Sequence, residues 1–142
     1  MRQMQTLAMP LRALLGFNIL FLVINGAFML LVPKPWYELV PGVVDTGFFN
    51  AHFVRDIGII QMFLGVLFVL GVKITAARFE LWAAATLWLT AHATLHLWEV
   101  AVGICGASTL LRDFPAVSLP ALIGMLLTWQ AWRGRPLNRA QA

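Results

Sequence analysis

Charge is what this sequence has least of. Aspartate and glutamate together number 6, lysine and arginine 10, and charged residues make up 11% of the chain. Ordinary soluble domains carry roughly 25%. Too few charges are present to cover a surface facing water, so a soluble globular fold is excluded. Cysteine is down to one, Cys105, which rules out an intramolecular disulfide, and no CxxC pair is available for redox or zinc chemistry. No nucleophile motif, phosphate-cradling loop or dinucleotide fingerprint occurs. Those absences remove the soluble-type enzymes and leave a small membrane metalloenzyme open.

What is there instead is hydrocarbon. Hydrophobic residues fill 61% of 142 positions, at a mean hydropathy of +0.82. They fall into four runs, at about 11–32, 50–72, 79–103 and 115–132. Each is of the length that crosses a bilayer as a helix, for which about 20 residues suffice. The sequence therefore predicts an all-α membrane four-helix bundle, one domain over 1–142. The first run follows an arginine-bearing start, as a signal peptide would. It is too long for a signal core, no A-x-A site precedes Pro33-Lys34-Pro35, and it reads as a retained helix. Pro33, Pro35 and Pro41 with Gly42 and Gly47 break any helix in the connection 33–49. Trp36, Tyr37, Trp82, Trp98, Trp129 and Trp132 suit an interfacial aromatic belt, while Trp88 lies deeper and reads as core. Lys73 to Arg78 is a tight basic turn, and 103–114 a short loop holding Cys105, Arg112 and Asp113.

The basic residues set an orientation. Arg2, Arg12, Lys73, Arg78, Arg133, Arg135 and Arg139 fall at one end of the runs; Lys34, Arg55 and Arg112 fall at the other with most of the acids. The positive-inside rule then places both termini in the cytoplasm (N-in/C-in), which predicts a multi-pass protein of a bacterial inner (cytoplasmic) membrane. So placed, the net charge of +4 meets lipid headgroups and not nucleic acid. The lipid bilayer is the expected partner, and a homo-oligomer or a membrane partner protein stays open.

Three histidines are present in all, and two of them share the third run. At about 100° per residue, His92, His96 and Glu99 lie on one face of a helix. Ionisable groups inside a membrane segment are costly and read as a functional site by default. The third histidine, His52, opens the second run with Asp56 at i+4. In the antiparallel arrangement Glu99, His96 and His92 lie about 6, 11 and 17 Å below the outer end of their span, at 1.5 Å per residue. His52 and Asp56 are expected at overlapping depth on the facing helix. Asn25 and Arg55 are candidate hydrogen-bonding supports. Asn18 and Asn25, seven apart on one face of the first run, suit interhelical hydrogen bonds.

Several chemistries fit such a set. His52, Asp56, His92, His96 and Glu99 are of the ligand types that hold a transition metal such as zinc, iron or copper. Glu99 or Asp56 would be the catalytic carboxylate, as a base on metal-bound water, and the reactant a lipophilic substrate or quinone. Two histidines on facing spans also suit a b-type haem, although charged Asp56 and Glu99 are awkward beside a porphyrin. A non-enzymatic subunit or transporter element would use the same groups as a proton relay. A network that only fixes helix register would use them for packing.

The stretch Phe49-Asn50-Ala51-His52-Phe53-Val54-Arg55-Asp56-Ile57-Gly58, followed by Trp88 and His92-x3-His96, resembles a group of small four-span bacterial membrane proteins. In that group N-x-H-x-x-R-D-[IV]-G opens span two and H-x3-H closes span three. An aromatic first loop with a Pro-Gly element recurs too, matched by Trp36-Tyr37 and Pro41-Gly42. The group usually has proline before the first histidine of the pair, where Ala91 stands here. The resemblance implies that His52, Arg55, Asp56, Gly58, His92 and His96 belong to one site, and it carries no chemistry.

Overall fold

In runs so apolar the backbone must satisfy its own N–H and C=O groups, and a helix does so within a single segment. All four runs are helical in the computed structural model, which describes residues 7–135. The helices are α1 (Met9–Leu31), α2 (Pro33–Leu39), α3 (Ala51–Lys73), α4 (Arg78–Ala101), α5 (Thr109–Asp113) and α6 (Leu119–Arg133). Short 3-10 turns occupy Val43–Thr46 and Thr75–Ala77, and a π-helical turn at Phe114–Ser118 joins α5 to α6. The described residues contain no strand.

Three segments are long and apolar enough to cross a membrane: Met9–Leu31, Ala51–Lys73 and the continuous Thr109–Arg133. The expected third span, α4, has 24 residues but is not among them. Arg78, Glu80, His92, His96 and Glu99 lower its hydropathy, so α4 has the length of a span without the composition of one.

Two expected loops are partly helical. Pro33 and Pro35 lie in the first turn of α2, where no backbone N–H is needed, so they start a helix instead of preventing one. Likewise the last helical segment begins at Thr109, six residues before the expected start, which makes Arg112 and Asp113 helical. Pro120 cannot donate to Ala116 and its ring crowds that carbonyl; the turn widens to a π turn around this position.

The long helices pack around a closed ring, α1 on α3, α3 on α4, α4 on α6 and α6 back on α1. Leu22, Phe68, Trp82, Ala85 and Leu127 are wholly buried between them. The tightest approach is α1 to α3. A Cβ at Gly58 would lie 2.8 Å from the Gly26 carbonyl oxygen, and one at Gly65 2.7 Å from Val23 Cγ2. Between α3 and α4, Trp82 fills the space that a side chain at Gly71 would need, and donates its Nε1–H to Phe68 O at 3.0 Å. Trp82 is therefore core and not a belt residue. Asn18, fully buried, donates Nδ2–H to Pro120 O at 3.4 Å, the interhelical bond expected of it.

Neighbouring helices are antiparallel, so charge separates by end. The starts of α1 and α4 and the ends of α3 and α6 gather Arg12, Lys73, Arg78, Arg133 and Arg135, with Glu80 the one acid among the described residues there. The opposite end holds Lys34, Arg55 and Arg112 with Glu38, Asp45, Asp56, Glu99 and Asp113.

Replacing Gly58 by valine forces α1 off α3, because the obstructing atoms are backbone and Cβ. Thermal unfolding in detergent is expected to show a loss of at least about 1–3 kcal/mol. Gly16→Ala, whose Cβ would meet nothing within 4 Å, is expected to be neutral or stabilising by up to about 1 kcal/mol.

Candidate functional site

The last three turns of α4 carry the histidine pair, and α5 brings a carboxylate to it. His96 Nδ1 lies 3.2 Å from Asp113 Oδ2. Both groups are only partly exposed, 29% and 18% for the two side chains. One turn deeper, the His92 ring stacks on Trp88 at 5.1 Å and meets the His96 ring edge-on at 4.8 Å. Helical periodicity alone produces the ladder Trp88, His92, His96.

Asp113 is held from its other side. Arg112 donates Nε–H to Asp113 Oδ1 at 2.7 Å and its Nη1 reaches Asp45 Oδ2 at 3.5 Å. The Arg112 guanidinium lies against Gly42, in space a Cβ there would occupy, and Gly42 has φ 82°, a left-handed conformation that favours glycine. The result is a continuous series from inside the bundle to its surface: His92, His96, Asp113, Arg112, Asp45. It ties the first connection to the third.

His52 and Asp56 stand apart from this series. Their Nε2 and Oδ2 are 3.3 Å apart on one exposed face of α3, with 88% and 51% of the side chains accessible. No hydrogen bond or ion pair joins either of them to α4 among the described residues. A haem held between spans two and three needs a histidine from each helix facing the other, and His52 faces outward. Arg55 donates Nε–H to Leu30 O at 3.2 Å, capping a carbonyl that the end of α1 leaves unpaired. Asn25 Oδ1 accepts from Trp36 Nε1 at 2.9 Å and so fastens α2 to α1. The Glu99 carbonyl accepts from the N–H groups of Ile104 (2.9 Å) and Cys105 (3.2 Å), closing the turn after α4. Its half-buried side chain makes no hydrogen bond or ion pair among the described residues.

Local structure accounts for much of the motif at the start of α3. Asn50 is the N-cap, its Oδ1 accepting from the N–H groups of His52 and Phe53 at 3.1 Å each. Arg55 caps α1 and Gly58 lets α1 approach. The site residues that the sequence reading missed are Asp113, Arg112 and Asp45. Asp113 had been expected in a loop; the available signal was that prolines at 115 and 120 are compatible with a helix that begins earlier and continues through a widened turn.

Among the described residues no group of three or more His, Cys, Asp or Glu is placed to hold a metal ion. His92 and His96 form a pair, and Asp113 turns towards His96 Nδ1 and Arg112. Comparison with known proteins returns no match to a family model, a curated protein or a solved structure.

Removing the Asp113 carboxylate tests the geometry. Asp113→Ala is expected to lower stability by roughly 1–2 kcal/mol in thermal unfolding. It is also expected to give a mixture of His96 tautomers in ¹⁵N spectra, where wild type shows the one fixed by the carboxylate. His52→Ala is expected to change neither measurement.

Proposed function

We infer that this chain is a four-span protein of a bacterial inner membrane, N-in/C-in, and a transporter element or membrane subunit that takes up protons from the outer side. The reading puts α4 across the membrane beside the three apolar helices, with His92, His96 and Glu99 partly buried against the bundle. The charge separation between the two ends supports the orientation, since the basic end is the one retained in the cytoplasm. One observation carries the function: His96 bonded to Asp113 at 3.2 Å, with His92 edge-on beneath it.

The pair has what a proton-loading group needs. Histidine is the side chain that exchanges a proton near neutral pH, and a carboxylate on Nδ1 orients the ring. Asp113 leaves Nε2 of His96 open to exchange. Arg112 holds the carboxylate in place through its Nε–H on Oδ1 at 2.7 Å, while Asp45 offers a further acceptor at the surface. The ring next to His96 is His92, edge-on at 4.8 Å and one turn further along α4 from the outer end. A histidine–carboxylate pair inside a membrane protein is typical of proton-transfer sites.

A second reading has its own support. A carboxylate on Nδ1 is also how metal-binding histidines are oriented, and His92 and His96, one turn apart, suit two positions on zinc or copper. Further ligands would come from solvent or from another molecule. In that reading Asp113 orients His96, and Glu99 and Asp56 supply no metal contact without rearrangement.

Proteoliposomes loaded with a pH-sensitive dye separate these readings. After an external acid jump, wild type is expected to acidify the lumen severalfold faster than His96→Gln or His92→Gln. Equal rates in all three would sink the proton reading. Elemental analysis of the same preparations tests the other: near-stoichiometric metal that both variants lose would select metal binding.

A further inference from the structure

At the basic end, a groove of about 400 Å³ opens between α4 and α6, lined by Phe79, Thr86, Met125, Thr128, Trp129 and Trp132. Its two hydroxyls, Thr86 Oγ1 and Thr128 Oγ1, bond to each other at 2.9 Å. A Cβ at Gly124 would lie 2.8 Å from Thr86 Oγ1, which explains why the helices approach so closely beneath the groove. The walls are aromatic and methionine, and Trp129 and Trp132 are each about half exposed.

Two cations stand over this lining. The Arg133 guanidinium lies 4.7 Å from the Trp129 ring centroid and the Arg135 guanidinium 3.8 Å from that of Phe79. Arg135 also pairs with Glu80, whereas Arg133 has no carboxylate partner among the described residues. Among the described residues Glu80 is the only acid at this end, against five basic residues, Arg12, Lys73, Arg78, Arg133 and Arg135. An apolar channel therefore runs directly under a surplus of fixed positive charge.

We propose that this groove seats one anionic phospholipid, its acyl chain along Met125, Trp129 and Trp132 and its phosphate on Arg133. The combination selects the ligand. A free phosphate would meet the guanidinium and leave the groove unfilled; a neutral lipid would fill the groove and leave the cation unpaired. Guanidinium is suited to phosphate because its planar fork donates two N–H bonds to two oxygens, and stacking on Trp129 holds that fork in place. The proposal rests on the chain lying in a membrane and is independent of the histidine site.

Native mass spectrometry of the full chain, released from micelles doped with phosphatidylglycerol or phosphatidylcholine of identical chains, tests it. Wild type is expected to retain one phosphatidylglycerol in preference to phosphatidylcholine. Arg133→Gln is expected to weaken that retention about fivefold, the effect of one basic residue near an anionic lipid surface. Arg12→Gln removes a charge at the same end but away from the groove, and is expected to leave retention unchanged. Equal retention of the two lipids by wild type overturns the proposal, as does an equal loss in Arg12→Gln and Arg133→Gln. Alkaline carbonate extraction of membranes separates the levels. Wild type that stays in the pellet yet shows no lipid preference removes only the seat, whereas release into the supernatant removes the membrane reading as well.

Discussion

Backbone meets backbone where α1 crosses α3. With no side chain on Gly26 or Gly58, the Gly26 carbonyl oxygen comes within 2.8 Å of where a Cβ on Gly58 would be. Close approach of this kind adds dispersion contacts along both helices, and in hydrocarbon, where burial of apolar surface gains little, packing of this sort holds helices together. The distance it sets decides what the neighbouring side chains can reach. Arg55, three residues and just under one turn before Gly58 on α3, is brought within hydrogen-bonding distance of Leu30 O at the end of α1. Asn25, next to Gly26, faces α2 and accepts from Trp36. The outer end of the bundle is assembled from these consequences.

The two polar groups at that end differ in kind. His52 and Asp56 pair on the surface of a single helix, an arrangement that any exposed i,i+4 pair can adopt and that contributes little to stability. The His96–Asp113–Arg112 series joins separate elements, is partly withdrawn from solvent, and reaches Asp45 in the first connection. Interactions between elements constrain a fold in a way that pairs within one helix cannot, because the partner must be brought from elsewhere in the chain.

Composition alone was enough for the all-helical class, and hydropathy found the long helices to within a few residues at most ends. Periodicity placed His92, His96 and Glu99 on one face correctly, since all three belong to one helix. It could not say how α3 is rotated about its own axis, which left His52 and Asp56 facing α4 on paper and solvent in the fold. That rotation is set by Gly58 and Gly65, seven apart on the face turned towards α1; their spacing marks a small-residue face but not the helix it meets. Asp113 was hidden differently, behind prolines that were read as the border of a loop. Trp82 was misjudged because the room it fills is made by Gly71, on another helix.

Contacts between helices are densest within two consecutive pairs, α1 with α3 and α4 with α6. Each pair is a hairpin of neighbouring sequence, so the chain can be made in halves. When Lys73 has left the ribosome, everything needed for the first hairpin is present, including the glycine crossing, the Asn50 cap and the Arg55 bond to Leu30. Trp82 follows in the second turn of α4, and Gly71 of the first half supplies the slot that it fills. Local assembly of this kind keeps the loops to be closed short, and it exposes α4, the most polar of the long helices, only when a finished surface is waiting for it.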